Sequence, residues 1–217
     1  MKRPFHLIAI DGGAGSGKST TASILSERLN LLHVDTGSHY RSVTRHLLDL
    51  GIDPANAEKY ININKITLSS EVIERKSMLS VDGKSFDKNL LRSEEVNAQV
   101  SKFASLPVLR NALFSYQREQ VHLARSRSFD GLVMEGRDIG TVIFPEADLK
   151  IFLHADPLVR ENRRRMDGET DQISFRDKQD RQRQVAPLKE SSGSLRIDTS
   201  ALAIEEVYEC IVEHLTI

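Results

Sequence analysis

The 217-residue sequence has a single cysteine, Cys210, and no tryptophan. One cysteine excludes an intrachain disulfide, and with it the class of small secreted domains that disulfides hold together. The N-terminal region lacks a long apolar run as well. Its apolar run consists of residues 7–10 and ends at Asp11. Such a run is far shorter than the core of a signal peptide or a membrane span. We therefore expect a soluble, cytoplasmic protein.

Neither sign of charge is in excess, because 30 Lys and Arg residues face 31 Asp and Glu residues and the formal net charge is -1. Domains that bind nucleic acid are usually clearly basic, so we expect no nucleic-acid partner. His39, His46, His122 and His154 are scattered without the spacing of metal ligands. Hydrophobic residues make up 39% of the chain, which is enough for a core, and the length suits one domain with an insertion.

Short apolar runs alternate with helical patterns along most of the chain. The runs cover residues 7–10, 31–34, 132–134, 149–153 and 195–197. Apolar runs of this length with helices between them are typical of parallel strands that are buried on both faces. We therefore predict an α/β fold with a five-stranded, mostly parallel sheet that helices flank.

Helical periodicity covers residues 19–29, 40–50, 96–125, 157–166 and 204–215. Pro107 should break or kink the longest of these stretches. Residues 61–92 depart from the alternation. There, residues 78–81 run into Asp82-Gly83, which is a hairpin signal, and residues 63–68 are the expected partner strand. We predict a single domain, 1–217, with a core of residues 1–60 and 93–217 and a small β-rich insertion at about 61–92.

A glycine-rich segment after the first apolar run matches the phosphate-binding pattern G-x-x-x-x-G-K-[ST]. Its residues are Gly12, Gly13, Ala14, Gly15, Ser16, Gly17, Lys18 and Ser19. In such a P-loop the glycines let the backbone wrap around phosphate, and the amide groups and the helix N-terminus bind it. We predict that these residues and Thr20 bind ATP, that Lys18 acts in catalysis at the β- and γ-phosphates, and that Ser19 ligates Mg²⁺.

A P-loop by itself does not separate kinases from other nucleotide-binding proteins. The guanine-reading pattern N-K-x-D is absent, since residues 84–87 read Lys-Ser-Phe-Asp, and the dinucleotide pattern G-x-G-x-x-G is absent too. An ATPase of the transport or motor type needs an apolar strand that ends in Asp, and residues 197–198 are a poor candidate. These observations favour a kinase.

Three further segments are similar to those of bacterial cytidylate kinases. Residues 34–41 read Val-Asp-Thr-Gly-Ser-His-Tyr-Arg, and residues 136–145 read Gly-Arg-Asp-Ile-Gly-Thr-Val-Ile-Phe-Pro. Residues 176–188 contain Arg-Asp-x-x-Asp-x-x-Arg and end in Val-Ala-Pro-Leu. The resemblance covers nearly the whole chain. It implies transfer of a phosphoryl group from ATP to CMP or dCMP with Mg²⁺, a small insertion over the CMP site, and a lid at about residues 166–184.

The resemblance also implies roles for individual residues. Those expected to bind CMP are Thr36, Arg41, Ser101, Arg110, Arg137, Asp138, Arg176 and Asp180. Within this set, Arg41 and Arg137 would hold the phosphate, and Ser101, Arg110 and Asp138 would read the cytosine ring. Arg176 and Asp180 would contact the acceptor phosphate and ribose. Arg183 would stabilise the moving phosphoryl group, so that Lys18, Arg137 and Arg183 form the expected catalytic set.

The chemistry expected of such an enzyme agrees with this arginine-rich pattern. Phosphoryl transfer between two nucleotides brings many negative charges together, so it needs arginines and a metal ion but no covalent nucleophile. This chain departs from the family pattern at Gly13, at residues 38–39, and in a short lid segment between Met166 and Arg176. We expect a monomer. Two alternatives remain open: a P-loop kinase for another small acceptor, and an ATP-dependent module that binds RNA or protein.

Overall fold

The computed structural model describes residues 5–166 and 173–215. Of residues 173–176 it describes the backbone alone. The described strands are β1 (His6–Gly12), β2 (Leu31–Asp35), β3 (Leu68–Ile73), β4 (Lys76–Val81), β5 (Gly131–Gly136), β6 (Leu149–His154) and β7 (Leu195–Asp198). The described helices are α1 (Lys18–Leu29), α2 (Thr36–Asp49), α3 (Pro54–Asn64), α4 (Lys88–Leu91), α5 (Glu94–Ala104), α6 (Pro107–Ser126), α7 (Pro157–Met166), α8 (Ile173–Gln182) and α9 (Ile204–Val212). A π-helical turn at Ile139–Ile143 follows β5.

The described strands form one sheet in the order β3-β4-β2-β5-β1-β6-β7. Neighbouring strands are parallel except for β3 and β4, which are antiparallel. All five apolar runs are strands, and together they form the contiguous parallel part β2-β5-β1-β6-β7. Ile8 and Ile10 of the central strand β1 have no exposed surface, because helices cover both faces of the sheet.

The prediction of five strands was wrong in number, because the described sheet has seven. Lys76 of β4 pairs with His33 on the edge of β2, and the backbone N–H of His33 donates to the carbonyl oxygen of Arg75 at 2.7 Å. An open sheet edge presents unpaired N–H and C=O groups, which an added strand satisfies. The hairpin of β3 and β4 therefore extends the main sheet.

The expected partner of the second hairpin strand was wrong as well. Residues 63–68 were expected to pair with residues 78–81, but the strand that pairs there is β3, which begins only at Leu68. The carboxylate of Asp53 accepts from the N–H of Asn56 at 2.9 Å and starts α3, with Pro54 in its first turn. This N-terminal signal draws the residues up to Asn64 into a helix.

The other helices follow their sequence signals. The long helical stretch ends at Ala104 and begins again at Pro107, where a proline is tolerated because a first-turn N–H has no helical partner. Helix α2 begins at Thr36 rather than at residue 40, because Asp35 caps it by accepting from the N–H of Ser38 at 3.2 Å. The division into a core, an insertion at 61–92 and a lid at 166–184 remains a prediction.

Helices pack on both faces of the sheet and leave one edge of it open for a site. On one face α1 and α9 bury Leu25 and Ile211 against β1 and β6, and on the other α6 packs against β2 and β5. The carboxyl ends of the parallel strands meet at one edge, which is where open α/β sheets bind ligands. Among residues 5–166 and 173–215, none of the helices combines the length and apolar character needed to cross a membrane.

Candidate active site

The loop between β1 and α1 wraps around a space at the carboxyl edge of the sheet. Gly15 and Gly17 have φ values of 72° and 88°, a left-handed region that glycine enters without steric cost. Gly12 has no room for a side chain, because a Cβ atom there would lie 2.2 Å from the carbonyl oxygen of Leu153. Helix α1 begins at Lys18. Its free amide groups and the positive end of its dipole therefore face this space, as in phosphate-binding loops.

Lys18 is buried at the start of the helix that follows this loop. Its Nζ donates to the carbonyl oxygen of Gly13 at 2.7 Å. Burial, with a smaller contribution from the positive charge of Arg137, lowers the pKa of Lys18 to about 7. A neighbouring anion favours the charged form of an ammonium group. The environment of Lys18 is thus suited to binding a phosphate.

Glu135, near the end of β5, is a candidate functional residue that sequence reasoning missed. Its Oε2 accepts from the hydroxyl of Ser19 at 2.9 Å, and its Oε1 lies 2.9 Å from Nε2 of His33. Glu135 is only 2% exposed. The signal was present in the sequence, because residues 132–134 are an apolar run that leads directly into this carboxylate. The run at residues 197–198, by contrast, ends in Asp198, which is exposed.

Three residues expected to bind the acceptor lie on α2 and α5, opposite the P-loop. The hydroxyl of Thr36 donates to the carbonyl oxygen of Glu135 at 2.8 Å and ties the start of α2 to β5. The guanidinium of Arg41 lies 3.4 Å from Oδ1 of Asn97. Ser101 follows Asn97 by one turn of α5, so that α2 and α5 present Arg41 and Ser101 to the same cavity.

Arg110 and Asp138 form a buried ion pair beside the same cavity. The guanidinium of Arg110 donates to Oδ2 of Asp138 and, at 3.1 Å, to the carbonyl oxygen of Ala104, and it lies 5.4 Å from the ring centroid of Tyr40. Burial raises the pKa of Asp138, although the charge of Arg110 opposes the shift. Among the described residues, Asp138 lines the cavity and Arg110 does not. Arg110 thus orients Asp138 from behind.

Arg137, Asp180 and Arg183 meet beside the P-loop. Nη1 of Arg137 donates to the carbonyl oxygen of Gly12 at 2.7 Å, and its Nε donates to Oδ2 of Asp180 at 2.9 Å. Nη2 of Arg183 lies 3.6 Å from Oδ1 of the same carboxylate. Asp180 therefore holds two guanidinium groups next to each other. The side chain of Arg176, which was also expected here, lies outside the described residues.

Helices α7 and α8 hold the P-loop from outside, which sequence reasoning missed. Arg160 donates to the carbonyl oxygen of Ala14 at 3.0 Å and to the Asp177 carboxylate, whose Oδ1 accepts from the N–H of Ala14 at 3.1 Å. Arg163 donates to the carbonyl oxygen of Thr199 at 2.6 Å. Asp177 belongs to the Arg-Asp-x-x-Asp-x-x-Arg pattern, but the sequence does not reveal its bond to the P-loop, since its partner there is 163 positions away.

These elements enclose a cavity of about 430 Å³, within the range of about 300–1,000 Å³ that is usual for small-molecule sites. Seven cationic side chains and four carboxylates are among the described residues that line it, and this excess of positive charge favours phosphorylated ligands. The expected site residues that line the cavity are Ala14, Gly15, Gly17, Lys18, Ser19, Thr20, Thr36, Arg41, Ser101, Arg137, Asp138, Asp180 and Arg183. Four other described residues of the expected site do not line the cavity: Gly12, Gly13, Ser16 and Arg110.

Comparison with known families decides the relationship of this chain. A sequence model of the cytidylate kinase family matches residues 8–216. The chain belongs to the cytidylate kinase family. The match covers both the P-loop and the segments that carry Arg41, Ser101 and Asp138, so both sides of the cavity lie within the family region.

Individual members of the family are similar along nearly their whole length. A cytidylate kinase of Chloroherpeton thalassium is 38% identical over 225 residues, which covers 97% of this chain and 93% of that protein. A cytidylate kinase of Geobacillus sp. is also 38% identical, over 95% of this chain and 94% of its own. These comparisons confirm the resemblance that the sequence motifs indicated.

A solved structure shows the same fold at low sequence identity. A gluconokinase from Sinorhizobium meliloti superposes with a TM-score of 0.51 at 13% identity, covering 99% of this chain and 93% of that chain. At this identity the likeness concerns the fold alone. It supports the α/β architecture.

Proposed function

We propose that this member of the cytidylate kinase family transfers the γ-phosphoryl group of ATP to CMP or dCMP, which yields ADP and CDP or dCDP. The observation that carries the proposal is one cavity lined both by a P-loop and by Asp138, a buried carboxylate that Arg110 orients. Transfer between two nucleotides requires that both be held in line within one enclosed space. The cavity brings the two halves of such a site together.

The donor triphosphate is assigned to residues 12–20. The amide groups of the loop and of the first turn of α1 are free to bind phosphate oxygens. Nζ of Lys18 donates to the neutral carbonyl oxygen of Gly13 at 2.7 Å. Since charge-assisted bonds to phosphate are stronger than bonds to a carbonyl, Lys18 would move to the β- and γ-phosphates and neutralise their charge.

The cytosine ring is assigned to the end of the cavity that contains Asp138 and Ser101, with Arg110 behind Asp138. Cytosine carries an exocyclic amino group that donates hydrogen bonds, whereas uracil carries a carbonyl at the same position. An ionised carboxylate only accepts hydrogen bonds. Asp138 therefore favours CMP over UMP. The acceptor phosphate is assigned to Arg41 and Arg137, and Thr36 lines the pocket.

The transfer step is assigned to Arg137 and Arg183, together with Lys18. Arg137 contacts the carbonyl oxygen of Gly12 at the base of the P-loop, and it also belongs to the loop that carries Asp138. It is therefore close to both nucleotide positions. Guanidinium groups match phosphate oxygens in pairs and stabilise the charge that spreads over the moving phosphoryl group. The proposed contacts of Arg176 and Asp180 are with the acceptor phosphate and ribose.

A divalent metal ion fits beside the P-loop. The Ser19 hydroxyl and the Glu135 carboxylate are 2.9 Å apart, and both offer the oxygen donors that Mg²⁺ prefers. When bound, Mg²⁺ neutralises charge on the donor phosphates. We assign Ser19 as its ligand and Glu135 as the carboxylate that orients the Ser19 hydroxyl, with His33 holding the second carboxylate oxygen.

The proposal also includes a monomeric enzyme in the cytoplasm that needs no nucleic-acid partner. A formal net charge of -1 supports the lack of a nucleic-acid partner, and a single cysteine supports the cytoplasm. Light scattering coupled to size-exclusion chromatography measures the molar mass in solution. A dimer mass at micromolar concentration would contradict the monomer.

A coupled assay of ADP release tests the proposed reaction directly. CMP, dCMP, UMP, AMP and shikimate are offered in turn with ATP and Mg²⁺, and a reaction without acceptor is the control. We expect turnover with CMP and dCMP well above turnover with UMP, AMP and shikimate. Preference for another acceptor would favour a kinase of different specificity. Slow hydrolysis that no acceptor accelerates would favour an ATP-dependent binding module.

A further inference from the structure

Asp11, the residue before the P-loop, accepts two long-range hydrogen bonds from residues 137–140, which we call the acceptor loop. It is 2% exposed. Its Oδ1 accepts from the N–H of Ile139 at 2.8 Å, and its Oδ2 accepts from the N–H of Gly140 at 2.7 Å. The carboxylate thus joins the end of β1 to the start of the π-helical turn, 129 positions away at Gly140.

These two bonds replace a cap that Asp138 does not make. Asp138 precedes the π-helical turn, where an aspartate side chain usually accepts from the first free amide groups of the turn that follows. Here its side chain makes no such bond. Because Asp11 satisfies the amide groups of Ile139 and Gly140 instead, the Asp138 carboxylate is left to pair with Arg110 and to line the cavity.

A second contact runs beside the first. Arg137 donates to the carbonyl oxygen of Gly12 at 2.7 Å, so adjacent residues of the P-loop strand hold adjacent parts of the acceptor loop. Burying a carboxylate costs stability unless hydrogen bonds offset the loss of water. Burial raises the pKa of Asp11 to about 6 against the opposing effect of its two amide bonds. Asp11 is therefore a costly way to stabilise the fold, which favours a role in arranging the site.

We infer that Asp11 is a positioning residue: it holds the loop that carries Arg137 and Asp138 at a set distance and orientation from the P-loop. The inference rests on the proposed function, because that loop is where the acceptor is assigned. Through Asp11, the donor and acceptor halves of the cavity share one rigid connection at the centre of the sheet. Loss of this connection shifts the acceptor relative to the donor phosphate.

The test is Asp11→Asn, with Asp148→Asn as the matched control. Asparagine keeps the size of the side chain but can accept only one amide, and its NH₂ group then faces the other N–H. The exposed Asp148 makes the same kind of bond at the opposite end of β1, where its Oδ2 accepts from the N–H of Leu7 at 2.7 Å. Both variants are assayed for kcat, for the KM of ATP and CMP, for the ratio of CMP to UMP, and for Tm.

For Asp11→Asn we expect kcat/KM for CMP to fall by about tenfold or more, because misplacing a reactant by about 1 Å costs up to about 10²-fold. The preference for CMP over UMP should shrink with it, while the KM of ATP changes less than about twofold. The Asp148→Asn control should keep all of these values. If Asp11 acts through Asp138, its effect on selectivity should largely disappear in an Asp138→Ala background.

Equal losses for ATP and CMP, or an effect of Asp11→Asn that is fully additive with Asp138→Ala, would overturn the positioning role. If Asp11→Asn does not fold, amide exchange in the unaltered protein decides instead. The amides of Ile139 and Gly140 should then be strongly protected without nucleotide, and fast exchange there would overturn the inference. Failure of the proposed function is distinguishable, because in that case the unaltered protein itself would not prefer CMP.

Discussion

Replacing Asp138 by alanine tests the base-reading end of the cavity, and the structure allows the cost to be worked out. Asp138 and Arg110 are 4% and 6% exposed. Asp138→Ala leaves the Arg110 guanidinium buried with the carbonyl oxygen of Ala104 as its described hydrogen-bond acceptor. Removing one partner of a buried ion pair costs about 3–5 kcal/mol. For a chain of this length that cost lowers the Tm by about 10 °C.

The same substitution should reduce the preference for CMP. A hydrogen bond to a charged group contributes about 1.5–3 kcal/mol, so the ratio of kcat/KM for CMP to that for UMP should fall by about 10- to 100-fold. The KM of ATP should change less than about twofold, because the P-loop is untouched. The assay is coupled ADP release with each acceptor, and scanning calorimetry gives the Tm.

A double variant separates the loss of stability from the loss of base reading. Arg110→Met combined with Asp138→Ala removes both buried charges and leaves a side chain of similar length. Replacing a buried ion pair by apolar groups is often neutral for stability, so the double variant should regain most of the Tm without regaining selectivity. An unchanged CMP-to-UMP ratio in a folded Asp138→Ala protein would refute the assignment of Asp138 to the cytosine ring.

Three further predictions concern catalysis and pH. Lys18→Met should lower kcat by about a hundredfold or more, since one charged donor to the transition state contributes about 3–4 kcal/mol. Its Tm should not fall, because burial already disfavours the ammonium and lowers its pKa to about 7. Arg183→Ala should lower kcat by about a hundredfold with little change in either KM, because an arginine that contacts the moving phosphoryl group acts mainly in the transition state. Burial lowers the pKa of His39 from 6.5 to about 4. Between these pH values, His39 is therefore protonated in the unfolded chain and neutral in the folded one. The free energy of unfolding should then be unaffected by His39 above about pH 6.5 and should fall by up to about 3 kcal/mol as the pH drops toward 4.

Each of these predictions has an outcome that contradicts it. A Lys18→Met enzyme that keeps more than about a tenth of its kcat would remove Lys18 from the transition state. A raised KM for CMP with unchanged kcat would make Arg183 an ordinary ligand of the bound substrate. For His39, urea unfolding at several pH values is compared with that of His39→Leu. Equal pH dependence in the two proteins would show that His39 does not titrate as its burial implies.

Local sequence patterns determined the elements that line the donor side. Apolar runs such as residues 7–10 mark buried strands, and a glycine-rich turn before Lys18 leaves few other backbone paths. Pro107 marked the break in the long helical stretch, since its ring acts within its own turn. The acceptor residues were different. Ser101 and Arg110 are unremarkable in their own segments, and only the family resemblance pointed to them.

Tertiary structure alone decided how these elements meet. Asp11 bonds to Gly140 across 129 positions, and Asp177 bonds to Ala14 across 163. The sequence marks neither bond, because the partner of each carboxylate is a backbone amide that almost any residue at that position would offer. The hairpin of β3 and β4 joined the sheet for a similar reason, since an open edge accepts any strand that reaches it. The sequence by itself determined the five strands of the parallel part, most of the helices and the phosphate loop, and the packing of the sheet decided which charges surround the cavity.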